Sequence, residues 1–153
     1  MPSDLWSFAS CCYARPGVEA ACLRLQAAGA DVCLLLCGLW LEQGGVPCND
    51  ERLAALRALS EPWQRQVVQP LRELRQSWRT TAAADEVQQR LRAQVKALEL
   101  EAERELLARL EAEVIGWPHA GQPGMADWLE ALAGSAGECR DALQVLRAAT
   151  TQA

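Results

Sequence analysis

The sequence predicts an all-α protein, a single bundle of about six or seven helices with one long helix and one buried central helix. Leucine and alanine dominate its apolar half, whereas strand-forming residues such as isoleucine, phenylalanine and tyrosine are scarce. Apolar residues also recur every three or four positions. The 153 residues suffice for one domain, which we expect to comprise a main bundle over 1–115 and a Gly/Pro loop with a C-terminal helical hairpin over 116–153.

The first three predicted helices cover residues 4–14, 16–28 and 31–43. The third lies in "DVCLLLCGLWLEQGG" (31–45), where ten uncharged residues separate Asp31 from Glu42. A membrane span needs about 20 apolar residues, so this stretch is too short to be one. Asp31 is a typical N-cap, and Gly44 and Gly45 are typical of a helix end. Because its leucines and Trp40 point in nearly every direction, we predict that this helix is the buried central one.

A fourth helix is predicted after the N-cap Asn49, and Ser60 and Pro62 indicate a break after it. The next segment, "PWQRQVVQPLRELRQSWR" (62–79), has an apolar stripe with the spacing 4, 4, 3, 4. The stripe consists of Trp63, Val67, Leu71, Leu74 and Trp78. Pro70 lies inside the segment, and an interior proline costs a helix about 3 kcal/mol or more. We therefore predict a kink at Pro70, or a short break with a new turn starting there.

The spacing of apolar residues over 83–115 predicts the long helix, which we expect to pack along the 62–79 segment. Its inward face is predicted to consist of Val87, Leu91, Val95, Leu98, Ala102, Leu106, Leu110 and Val114. Gly116 and Pro118 should end it. Two short helices are predicted at about 125–133 and 136–149, the second with a capping box formed by Ser135 and Glu138.

The net charge of −5 is unevenly distributed, because only residues 51–80 are basic, at +3. A protein whose main partner is nucleic acid is usually basic overall, so any such role depends on this segment alone. The N-terminal "MPSDLW" lacks the charged and apolar regions of a secretory signal, which favours the cytoplasm. The seven cysteines are then expected to be free thiols.

Candidate catalytic and metal-binding residues are few. Cys33 and Cys37 are one helical turn apart, but the sequence has no C-x-x-C motif, and free cysteine commonly packs as a small buried hydrophobe. The single histidine, His119, lies in a Pro/Gly loop without a partner at any motif spacing. We therefore predict no metal site, no cofactor and no catalytic residue, and consider an enzyme the less favoured alternative.

The best candidate for function is a stripe of arginines beside the apolar stripe of residues 62–79. Arg65, Arg72, Arg75 and Arg79 recur at spacings of 7, 3 and 4, which places them on one helix face. Their guanidiniums could clamp phosphates or carboxylates, and Trp63 and Trp78 could stack on a ligand. The structural alternative, which we favour, is that the stripe is solvated or paired with Asp31, Glu61, Glu73 or the acidic helix that follows.

Three blocks carry a resemblance to a known family: "LWSFASCCYARPGVEAACLRLQ", "DVCLLLCGLWL" and "PWQRQVVQPLRELRQ". Together they resemble a gammaproteobacterial family of short uncharacterised helical proteins, a domain of unknown function, over residues 4–110. The resemblance implies a bacterial cytoplasmic setting, and it brings no activity, cofactor or site residue.

Two functions remain open. The first, which we prefer, is a non-enzymatic adaptor that presents the arginine- and tryptophan-bearing helix to a protein partner or, alternatively, to RNA or another polyanion. The second is a small-molecule binding protein or enzyme, with an anionic ligand held against the arginines in a cavity lined by Trp6, Tyr13, Trp40 and Trp63. We expect no membrane association, and a homodimer is a further alternative.

Overall fold

The computed structural model describes residues 4–121, 127–134 and 139–151, and within these ranges the chain forms helices and no strand. The prediction of an all-α bundle with one long helix is confirmed. The helices, in order, are α1 (Leu5–Tyr13), α2 (Val18–Ala27), α3 (Val32–Gln43), α4 (Asp50–Trp63), a π-helical turn (Gln64–Val68), α5 (Gln69–Ser77), α6 (Arg79–Ala82), α7 (Glu86–Val114), α8 (Trp128–Ala133) and α9 (Arg140–Thr151).

The helix α3 is central, as predicted. Asp31 is its N-cap, and the Asp31 carboxylate accepts a hydrogen bond from the backbone N–H of Leu34. Residues 33–42 are all buried, because α1, α2, α4, α7, α8 and α9 each pack on one side of α3. Gly38 permits the closest approach: a Cβ there would lie 2.8 Å from the Leu132 side chain on α8. A side chain at position 38 would therefore have to displace the end of the Leu132 side chain and would also press on Trp128, whose Cβ lies 3.3 Å away.

The C-terminal helices are fixed by polar contacts as well as by apolar packing. The helix α8 packs mainly against α3, and α9 mainly against α2. Glu42, 3% exposed, accepts hydrogen bonds from the Leu129 backbone N–H and from Arg147, which also pairs with Glu130. These contacts satisfy a carboxylate that would otherwise be costly to bury. The predicted capping box of Ser135 and Glu138 lies outside the described residues.

The predicted break at Ser60 and Pro62 is wrong, because α4 continues through Pro62 to Trp63. Tertiary contacts hold this end of α4, since Ser60 donates to Asp31 and Trp63 donates to the Ala102 carbonyl. Such contacts offset the intrinsic cost of an interior proline.

The irregularity near Pro70 is a π-helical turn just before it, in which the Gln69 N–H donates to the Gln64 carbonyl five residues back. Pro70 then occupies the first turn of α5, where its missing N–H costs little. The extra residue in the π-helical turn shifts the helical register, so Val68 is fully buried while Val67 is only partly buried. The sequence had predicted Val67 as the inward residue.

The inward face predicted for α7 is right at five of its eight positions. Val95, Ala102, Leu106, Leu110 and Val114 are buried, whereas the remaining three predicted residues, Val87, Leu91 and Leu98, are 45–56% exposed. A spacing near four residues drifts around a helix that has about 3.6 residues per turn. In addition, α5 packs on this half of α7, where Arg92 donates to the Arg75 carbonyl. The main hydrophobic core accordingly contains no residue between 64 and 105.

Candidate functional site

The four arginines of the predicted stripe lie in different environments. Glu99 on α7, 5% exposed, accepts hydrogen bonds from Arg72 Nε at 3.0 Å and Arg75 Nε at 2.6 Å. Burial alone would raise the pKa of Glu99, but the two guanidiniums outweigh it and hold that pKa below its ordinary value. Arg65 and Arg79 are exposed and form no ion pair with any residue of the described ranges.

The two tryptophans of the predicted site are partly buried. Trp63 Nε1 donates to the Ala102 carbonyl at 2.9 Å, and the Arg109 guanidinium lies 4.0 Å from the centre of its ring. Trp63 therefore joins α4 to α7, and its ring face is already occupied by a cation. Trp78 ends α5 and is also partly buried. Of the six predicted site residues, the structure brings only Arg65 and Arg72 to a common cleft.

This cleft has a volume of about 390 Å³ and lies between the N-terminus of α3, α4, the π-helical turn, α5, α7 and the end of α8. We call it the π-turn cleft. Its polar lining comprises three arginines, three glutamines and three carboxylates. Ligand sites in proteins have volumes of about 300–1,000 Å³, so the cleft is large enough for a small molecule. Single π-helical turns also occur frequently at functional sites.

Asp31 organises one wall of the cleft. Its Oδ1 accepts hydrogen bonds from the Leu34 N–H at 3.2 Å and from Gln64 Nε2 at 2.9 Å, and its Oδ2 accepts one from Ser60 Oγ. Burial raises the pKa of Asp31, although these three donors favour the charged form. The N-cap of α3 thus also fixes the side chains of α4 and of the π-helical turn.

The opposite wall carries Glu103, whose environment is different. Its nearest cation is Arg72, with Nη2 3.9 Å from Oε1, and Arg72 is already hydrogen-bonded to Glu99. Burial raises the pKa of Glu103 to about 6, and the nearby carboxylates Glu99 and Asp31 add to this rise while Arg72 opposes it. A perturbed carboxyl group in a cleft is a feature of many functional sites.

Two cations of the cleft have no acidic partner. Arg57 Nη2 donates to the Ala131 carbonyl at 2.6 Å, and neither Arg57 nor Arg65 has a carboxylate within 4.0 Å in the described part of the chain. Cations and carboxylates therefore face the same space without neutralising each other completely. This arrangement leaves charge available for a ligand.

Sequence reasoning assigned other roles to most residues of the cleft. It considered Asp31 as a helix cap and as a possible partner of the arginine stripe, and it did not single out Glu103. The spacing of Ser60 and Gln64, one helical turn apart, was an available signal for a polar inner face. The tryptophan-lined cavity was also predicted, but Trp6, Tyr13, Trp40 and Trp63 do not line the π-turn cleft.

The cysteines and the histidine lie elsewhere or are buried. Burial raises the pKa of the Cys22 and Cys37 thiols to about 12, which disfavours thiolates. Over the described ranges, no three His, Cys, Asp or Glu residues are grouped so that they could hold a metal ion. Exposed His119 is hydrogen-bonded through Nδ1 to the Gly44 carbonyl, at 2.6 Å.

The fold and cleft define a small α-helical protein with a polar cleft beside a π-helical turn. None of the described helices is both long and apolar enough to cross a membrane. A family model described as a protein of unknown function, DUF2390, matches residues 4–110, and the chain belongs to this family. Comparison with curated proteins and with solved structures gives no match.

Proposed function

We propose that the protein binds a small anionic ligand in the π-turn cleft, and that it does so as a non-enzymatic protein of the bacterial cytoplasm. The observation that supports this proposal is the cleft itself, in which Arg57 and Arg65 form no ion pair with a carboxylate of residues 4–121, 127–134 or 139–151. Guanidiniums bind carboxylates and phosphates through paired, charge-assisted hydrogen bonds.

The carboxylates of the cleft further restrict the ligand. The Asp31 carboxylate is already occupied by three hydrogen-bond donors, so Glu103 is a more available acceptor than Asp31. A ligand with an ammonium or N–H group beside its anionic group would meet Glu103 and Arg65 together. A ligand with two anionic groups and no donor would meet repulsion from Glu103 when that carboxyl group is ionised.

The test is a thermal-shift screen followed by calorimetry at pH 7.5, with inorganic phosphate, succinate, glutamate and putrescine as probes. We expect the anions to raise the melting temperature, with glutamate above succinate because of its ammonium group, and putrescine to have little effect. Binding at a ligand concentration of 100 times Kd would stabilise the protein by about 2.7 kcal/mol.

Two arginine variants provide the site-specific comparison. Arg65→Ala removes a cation that lines the cleft, and Arg79→Ala removes another exposed cation from outside it. We expect Arg65→Ala to weaken anion binding about tenfold, since a charged hydrogen bond contributes about 1.5 kcal/mol or more. Arg79→Ala should change binding less than about twofold. The proposal fails if no probe binds, or if the two variants behave alike.

The adaptor role favoured by the sequence is a second candidate. The observation in its favour is Arg79, an exposed cation that has no ion pair with the residues the structure describes and that lies beside the partly buried Trp78 at the end of α5. It ranks below the ligand-binding role because Glu99 already binds Arg72 and Arg75. Those two guanidiniums have fewer free donors for a protein or RNA partner.

A further inference from the structure

The segment from α5 to residue 103 of α7 has an exposed apolar face. We call this segment, residues 69–103, the projecting hairpin, because α5 and α6 pack on α7 and the main core includes none of its residues. Leu74 is 39% exposed, Leu91 45%, Leu98 51% and Val87 56%. Several large apolar side chains exposed on one small element are typical of an interaction site.

Helix geometry places the three exposed side chains of α7 together. Consecutive residues of a helix are rotated by about 100°, so Val87, Leu91 and Leu98 lie within about 40° of one another on α7. Glu99, which binds Arg72 and Arg75 of α5, lies about 80° away from Leu91 around α7. Leu74 likewise lies away from Arg72 on α5. The apolar face and the paired arginines therefore occupy different sides of the hairpin.

The charges on the hairpin favour a second copy of this chain over an acidic or basic partner. Residues 69–103 contain six cationic and six acidic residues, so two hairpins do not repel each other through net charge. Arg90 and Glu101 flank the exposed leucines at opposite ends, and neither forms an ion pair with any residue in the described ranges. If a second copy packed antiparallel, Arg90 of one copy would lie beside Glu101 of the other.

We infer that the protein forms a two-fold symmetric homodimer in which the α7 helices of two projecting hairpins pack antiparallel through this apolar face. Val87, Leu91, Gln94 and Leu98 have the 4, 3, 4 spacing of a helix-packing seam. A two-fold axis near Gln94 places Leu91 against the partner's Leu98. The same register brings Arg90 within about one helical turn of the partner's Glu101.

The experiment is sedimentation equilibrium of the full chain at about 5–100 μM, with circular dichroism to verify folding. We expect the wild type to sediment as a dimer of the 16.7 kDa chain. Leu91→Glu should weaken the dimer at least about tenfold, because it places a carboxylate at the centre of the interface. The matched control is Leu100→Glu, since Leu100 is 55% exposed but lies on another side of α7.

A charge exchange tests the antiparallel register separately. Arg90→Glu alone and Glu101→Arg alone should each weaken the dimer, whereas the double variant should restore it, because the two sites face each other across the axis. A monomeric wild type at 100 μM overturns the inference. So does a dimer that is equally sensitive to both leucine variants, or a double charge variant that is no tighter than the single variants.

Discussion

Replacement of Glu103 by glutamine tests the electrostatics of the cleft through the pH dependence of stability. Burial raises the pKa of Glu103 from an ordinary 4.5 to about 6. The folded protein therefore binds this proton more tightly than the unfolded chain, and the penalty for ionising Glu103 develops as the pH rises from about 4.5 to about 6. A difference of about 1.5 pKa units corresponds to about 2 kcal/mol, because each unit is worth about 1.36 kcal/mol. Above this range the full penalty is present.

We therefore expect Glu103→Gln to raise the free energy of unfolding by up to about 2 kcal/mol at pH 7.5 and to change it little at pH 4. The gain is an upper value, because the substitution also removes the contact with Arg72 at 3.9 Å. The assay is urea unfolding followed by circular dichroism at pH 4, 5, 6 and 7.5.

The control for this prediction is Glu113→Gln, which replaces an exposed carboxylate on the same helix. Its effect should stay within about 0.5 kcal/mol, as is usual for surface substitutions. The reasoning is refuted if Glu103→Gln destabilises the protein at pH 7.5, or if its effect is the same at pH 4 and pH 7.5.

The remaining predictions concern the core and the arginine stripe. Leu36→Asp should abolish cooperative thermal unfolding, because Leu36 is 6% exposed on α3 and the carboxylate would be buried without a partner; an unchanged melting curve would contradict the central position of α3. Arg72→Ala and Arg75→Ala should each lower the free energy of unfolding by about 1–3 kcal/mol by weakening the Glu99 ion pair, whereas Arg65→Ala and Arg79→Ala should change it by less than about 0.5 kcal/mol. Of the four stripe arginines, Arg65 and Arg79 form no ion pair within the described ranges, so any binding of labelled single-stranded RNA through the stripe should be weak and have a log–log salt slope no steeper than about −1.4. A tight complex with a steeper slope would show that the pairs with Glu99 open.

The sequence alone determined the local features of the fold. Asp31 and Asn49 are N-caps in the structure, as predicted, because a cap depends on a side chain and on backbone N–H groups two or three residues away. The uniformly apolar composition of residues 32–41 likewise required α3 to be buried on all sides. Such signals lie within a few residues of one another, so no knowledge of the fold is needed to interpret them.

Only the tertiary structure decided the cleft and the register of the helices around it. Arg75 contacts Glu99, 24 positions along the chain, and Asp31 contacts Gln64, 33 positions along the chain. No local spacing indicates either contact. Because of the π-helical turn, Val68 is buried in place of the predicted Val67. A regular period of 3.6 residues cannot predict this shift. The exposure of Leu91 likewise depends on how far α5 and α6 extend along α7, because an apolar side chain is buried only where another element covers it.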